Sequence, residues 1–213
     1  MPLTVLFIHG WGFDAGIWSG ITRLLADWPV LHFDRGYFGA PQTPSPEGPC
    51  LVVTHSFGTM LALRDPPPHC IGILAINGFD RFFAKPGAPG VHPRILKRMI
   101  GQFEKEPEEV LREFRNRCGC DAPFTLCDGQ LLGEDLQQLA TMDGTALCAG
   151  IELPILSLQS ETDPILPQAM RDNVFAGATR LERKTLAGGG HLLPLTEPEA
   201  CARAIREFAG TIA

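Results

Sequence analysis

At 213 residues the chain suits one large domain with room for a buried core. Its composition, 45% hydrophobic and 20% charged, is ordinary for a globular protein, and a net charge of -6 argues against nucleic acid or an anionic membrane as the main partner. No apolar run reaches the roughly 18 residues that predict a transmembrane helix. The opening stretch, Met1 to Ile8, has no basic flank and is broken at once by His9-Gly10, so it reads as a first core strand rather than a signal peptide. Seven cysteines, at 50, 70, 118, 120, 127, 148 and 201, are odd in number and scattered in apolar runs, which predicts free thiols in a reducing cytoplasm. Cys118, Cys120 and Cys127 lack the paired spacing and nearby histidine of a zinc site, so no metal is expected.

Val5 to Ile8 is an apolar run suited to a strand buried on both faces, and the Gly-rich loop His9-Gly10-Trp11-Gly12 follows it. From Phe13 to Trp28 the spacing of Trp18, Ile21, Leu24, Leu25 and Trp28 predicts an amphipathic helix. Val30 to Phe33 reads as a second strand, and proline-rich Ala40 to Pro49 as a loop. Leu51 to Val53 is a third strand, ending in Thr54-His55-Ser56-Phe57-Gly58 before a helix over Thr59 to Arg64 that Asp65-Pro66 stops. Cys70 to Asn77 is a fourth. From Arg81 to about Ala149 apolar strands vanish, and helical stripes predict helices over 93–103, 107–117 and 129–141. Arginines and lysines are dense there (Arg94, Lys97, Arg98, Arg112, Arg115, Arg117), which suits either a solvated face or a patch for an acidic partner. Pro154 to Gln159 resumes the strands, a helix is predicted over 168–176, Arg180 to Leu186 reads as an edge strand, and a helix over 197–209 ends the pattern.

Strands alternating with helices predict a parallel α/β sheet with right-handed crossovers, whose chemistry collects at the carboxyl ends of the strands. Ser56, Asp163 and His191 sit at such ends. Singly, each is also an ordinary turn or structural residue. Together they offer a nucleophile, a base to take its proton, and a carboxylate to orient that base.

Val52 to Gly58 resembles the nucleophile elbow of the α/β-hydrolases, and the order Ser, Asp, His is the order of that superfamily. The resemblance implies a mostly parallel sheet flanked by helices, with a core of 1–80 and 150–213 and a helical cap, 81–149, inserted after the strand ending near Asn77. It implies catalytic Ser56, Asp163 and His191, with an oxyanion hole from the backbone N–H groups of Trp11 and Phe57. Two positions depart from the pattern: Thr54 replaces the usual first glycine of the elbow, and His55 stands where an aromatic residue often precedes the serine. The chain opens on what reads as an inner strand, so the leading edge strands of the family pattern are expected to be missing. More narrowly, His9-Gly10-Trp11-Gly12, the short cap, Thr162-Asp163-Pro164 and Gly188-Gly189-Gly190-His191 resemble the pimeloyl-[acyl-carrier protein] methyl ester carboxylesterases of biotin synthesis. That likeness implies a medium-chain acyl methyl ester as substrate, small or carried on an acyl-carrier protein. It implies substrate contacts from Trp11, His55, Met99, Ile100 and Phe103, and a carrier met by Arg94 and Arg98, with Arg112 or Arg115. A monomer without cofactor, bound to neither nucleic acid nor membrane, is expected. A lactonase, thioesterase or C–C hydrolase with the same triad remains open, as does a non-catalytic binding protein of this fold.

Overall fold

The computed structural model describes residues 3–126 and 128–212, so Met1, Pro2, Cys127 and Ala213 lie outside the described residues. Six strands, β1 Thr4–Ile8, β2 Val30–Phe33, β3 Cys50–His55, β4 Cys70–Ile76, β5 Ile155–Ser160 and β6 Leu181–Leu186, pair only in parallel in the order β2-β1-β3-β4-β5-β6. β3 and β5 are buried along their whole length, so that even their polar residues, Thr54, His55, Ser157, Gln159 and Ser160, are held inside. β6 pairs on one side only, and its Glu182, Arg183 and Thr185 are exposed, as suits a charged edge strand.

Helices flank the sheet. α1 Ser19–Leu24 packs with α9 Pro198–Ile212, α9 lies against β4, and α2 Gly58–Arg64 packs on β3 and β1. Two predicted helices are shorter in the structure. Over 13–28, Asp14 caps a 3-10 turn by accepting the Gly16 N–H, and only Ser19–Leu24 is α-helical. The apolar spacing belongs partly to that tighter turn, which buries Ile17 and Trp18, with Trp18 stacked on Phe7 at 4.7 Å. Over 168–176 only α7 Gln168–Arg171 forms, because Phe175 takes a left-handed backbone with φ 57°. The short α8 Leu193–Thr196, unmarked in the sequence, follows the His191 loop.

Between β4 and β5 the chain leaves the sheet for α3 Pro93–Phe103, α4 Pro107–Cys118, α5 Gly129–Thr141 and α6 Thr145–Gly150. Local chemistry sets their ends. The His92 ring accepts the Arg94 N–H at the start of α3; Pro107, Glu108 and Glu109 suit the first turn of α4, and Gly119 at φ 92° stops it. α5 is fastened to the loop after β2 by a buried cluster. Arg35 donates to both Asp135 carboxylate oxygens at 2.8 and 2.6 Å, and the Tyr37 hydroxyl donates to Asp135 at 2.6 Å. Asp135 is fully buried, so Asp135→Ala would strand the charge of Arg35 and the hydroxyl of Tyr37. A loss of about 3 kcal/mol is expected, toward the lower end for a buried pair because Arg35 is partly solvated, and urea unfolding measures it.

β1 continues one way to β2 while β3 lies on its other side, so the order reverses between β1 and β3. The loops leaving these two strands flank the crevice where such sheets bind ligands.

Candidate active site

Ser56 leaves β3 in a sharp turn. Its φ of 52° is left-handed, a conformation that costs a non-glycine residue free energy and is held here by its surroundings. The Ser56 N–H donates to Ile76 O at 3.1 Å, and α2 starts two residues on. Gly58 is forced by close approach: a Cβ there would lie 2.5 Å from the carbonyl oxygens of Ile8 and His9. Gly10 is equally crowded, with a Cβ only 2.9 Å from Ser56 Cβ, so the loop after β1 lies against the serine.

The Ser56 hydroxyl donates to His191 Nε2 at 3.1 Å, and His191 Nδ1–H donates to Asp163 Oδ2 at 2.7 Å. Since a carboxylate only accepts, the ring carries its hydrogen on Nδ1 and offers Nε2 to the serine. The second Asp163 oxygen accepts the N–H groups of Ile165 and Leu166 at 2.7 and 3.1 Å. Burial alone would raise the Asp163 carboxyl, but the His191 imidazole and those two N–H groups outweigh it and hold it below its ordinary value. His191 and Ser160 are fully buried, and Ser56 and Asp163 nearly so. Among the described residues, the backbone N–H groups of Trp11 and Phe57 donate to no other protein group.

Thr54 fits the elbow through a partner that sequence spacing does not reveal. Its hydroxyl lies 2.6 Å from that of Thr59, and a Cβ at Gly78 would collide with Thr59 Oγ1. The branched side chain is therefore accommodated by a hydroxyl pair, and the missing side chain at Gly78 leaves room for the Thr59 half of that pair. Asn77 is the residue sequence reading passes over, taking it only as a strand end. Its amide donates to the Gly190 and His191 carbonyls at 2.9 Å each, while its oxygen accepts the Ser160 N–H at 2.8 Å. It thereby ties the ends of β4 and β5 to the His191 loop.

An apolar cavity of about 290 Å³ adjoins these loops through Trp11 and Ile165, with Ser56, Asp163 and His191 outside its lining. Leu96, Met99, Phe114 and Leu139 wall it from α3, α4 and α5, with Trp11 and Ile165 contributed by the loops beside the serine and the aspartate. Of the residues expected at substrate, Trp11 and Met99 line it. Ile100 packs against the core and Phe103 is part of it, 6.1 Å from the Trp11 ring; neither lines the cavity. Arg94 and Arg98 are exposed on α3, and Arg98 borders an outer groove between α3 and α4 that shares Met99 and Phe114 with the cavity. Arg115 is corrected: it is buried rather than presented to a partner.

A model of the alpha/beta hydrolase family matches residues 5–204. The chain belongs to this family. The hydrolase is 28% identical to the pimeloyl-[acyl-carrier protein] methyl ester esterase of Methylococcus capsulatus, over 96% of this chain and 93% of that protein. It is 21% identical to the Yersinia pestis protein of the same name, over 96% and 92%. Among solved structures it resembles a bromoperoxidase from Bacillus anthracis (TM-score 0.84, 13% identity, covering 99% of this chain and 92% of that one). It also resembles an esterase from Exiguobacterium antarcticum (TM-score 0.82, 12% identity, 97% and 91%). No helix among the described residues of this hydrolase is long and apolar enough to cross a membrane.

His55 has a different place in the hydrolase from the one expected. It lies outside the cavity wall, fully buried, with its ring 4.9 Å from that of His191 and its Nε2–H donating to the His191 carbonyl at 2.9 Å. Burial, with the neighbouring His191, pushes its pKa down from 6.5 to about 3. An unfolded chain takes up a proton below about 6.5 that the folded ring refuses until about 3. Stability is therefore full above the upper value and falls through that interval. Melting temperature against pH should show the decline, and His55→Gln, which keeps an N–H for the carbonyl, should flatten it. An unchanged acid limb in that variant would exclude His55 as its source.

Proposed function

We propose that the chain is a serine carboxylesterase acting on a medium-chain acyl methyl ester, such as pimeloyl-[acyl-carrier protein] methyl ester. Ser56 is the nucleophile, His191 the general base and acid, and Asp163 the group that fixes the imidazole tautomer. The Ser56 oxygen attacks the ester carbonyl while His191 Nε2 takes its proton. The carbonyl oxygen becomes an anion facing the N–H groups of Trp11 and Phe57. Collapse of this intermediate breaks the bond to the alcohol oxygen, which leaves with the proton from His191. Water, deprotonated by the same imidazole, then attacks the acyl-enzyme and releases the acid and Ser56.

The observation that carries this reading is the hydrogen-bonded series Ser56, His191, Asp163 beside two unspent backbone donors. The apolar cavity supports an acyl chain, and the names of the curated relatives support the methyl ester. We read residues 81–149 as a cap over that chain. The exposed Arg94, Lys97 and Arg98 of α3 form the face that would meet an acidic carrier. The described cysteines are all free, which suits a reducing cytoplasm.

The test is hydrolysis of p-nitrophenyl esters from acetyl to decanoyl, with Ser56→Ala as control. Turnover that requires Ser56 and peaks at a medium chain is expected. Turnover that survives in the variant, or that is absent at every chain length, would overturn the assignment.

A further inference from the structure

Arg115 lies on α4, yet only 8% of it is exposed. Its Nη1 donates to the Gly12 carbonyl at 2.9 Å, and Nη2 reaches Cys120 Sγ at 3.3 Å and the Ala122 carbonyl at 3.5 Å. Three rings enclose the guanidinium: Phe13 at 5.0 Å, Phe38 at 5.5 Å and Phe124 at 5.3 Å. Among the described residues no carboxylate forms an ion pair with it. A buried charge without a counter-ion costs stability, and carbonyl dipoles and ring faces offset only part of that cost. Stability alone is therefore a poor reason for a guanidinium here. The hydrogen bond it makes is the more informative feature.

Gly12 follows Trp11, whose N–H faces the crevice in the proposed reaction. At Gly12 the chain turns with φ 74°, so close to α4 that a Cβ would lie 2.8 Å from Leu111. The Trp11 side chain is held from the same side. Its indole N–H donates to the Leu132 carbonyl of α5 at 2.8 Å, and its ring meets Phe114 edge-on at 4.8 Å. The loop is thus pinned at consecutive residues by two helices that lie outside the sheet.

We infer that Arg115 is a positioning residue for the oxyanion hole: by holding the Gly12 carbonyl, two peptide units beyond the one that carries the Trp11 N–H, it restrains the loop that aims that N–H. This rests on the esterase reading above. It makes α4 part of the catalytic scaffold as well as, through Phe114, part of the cavity wall. Losing one oxyanion donor outright costs about 10²–10³ in kcat, and a misdirected donor costs part of that.

The experiment compares the full chain with Arg115→Lys, Arg115→Met and Arg115→Ala on the p-nitrophenyl ester the parent prefers, with melting temperature recorded for each. Lysine keeps the charge but lacks the planar fork, and methionine fills the space without charge. A fall in kcat of about tenfold to a hundredfold is expected with KM changed less than about twofold, in variants that still melt cooperatively. Added guanidinium ion should restore part of the kcat of Arg115→Ala, a result that a purely structural role would not give. Unchanged kcat in the folded variants, a change confined to KM, or a rate that only follows the folded fraction without rescue would each overturn the inference. Absence of Ser56-dependent turnover in the parent would overturn both readings, whereas turnover in the parent with undiminished kcat in the variants would overturn this one alone.

Discussion

Ser56→Ala should lower kcat on the preferred ester by about 10⁴–10⁶, with KM little altered. The hydroxyl is the only nucleophilic atom at the end of β3 that touches the imidazole, at 3.1 Å from His191 Nε2. Without it the ring can still recruit water, and Trp11 and Phe57 still offer their N–H groups. The residue of catalysis should therefore come from binding and the oxyanion hole alone. Because Ser56 is held at φ 52°, alanine inherits the same left-handed strain while losing one hydrogen bond. The fold should survive, and circular dichroism would check that. A variant retaining a tenth of the parent rate would remove Ser56 from the mechanism.

Asp163→Asn should cost about 10⁴ in kcat, and the structure says why the substitution is so severe. One carboxylate oxygen accepts the N–H groups of Ile165 and Leu166 and the other accepts His191 Nδ1–H. An asparagine must keep its oxygen at the two N–H groups, since its amino group cannot accept from them. Its amino group is then presented to His191 Nδ1. The ring answers by moving its hydrogen to Nε2, where it can no longer accept a proton from Ser56. Steady-state rates on the ester series measure the loss. Rates within tenfold of the parent would mean that the carboxylate neither selects the tautomer nor stabilises the cation.

Strands were the most legible part of the sequence, because the apolar runs of β1 and of Cys50 to Val53 in β3 follow directly from burial. The positions of Ser56, Asp163 and His191 after strands were also readable, although β6, which precedes His191, is an exposed edge strand without an apolar run. What lay beyond reading was pairing at long range. Thr54 looked like a defect in the elbow; the turn brings the hydroxyl of Thr59, five residues on, to it, and only the fold sets the bare Gly78 against Thr59. Arg115 looked like one more charge on a helix face. It is buried because Phe38 and Phe124, far apart in the chain, close around it. The helix over 13–28 was overextended for a local reason: periodicity does not distinguish a 3-10 turn followed by an α-helix from one continuous helix.

The link from Arg35 and Tyr37 to Asp135 bears on how this scaffold could be re-engineered. Transplanting the helical segment from a scaffold whose matching helix lacks an aspartate would leave an arginine and a phenol without their partner. The same graft would release Gly12 from Arg115. A chimera that carries Asp135 and Arg115 into the donor segment, or replaces Arg35 and Tyr37 with apolar residues in the recipient, keeps the two parts compatible. The helical segment and the sheet are therefore exchangeable only as a matched set.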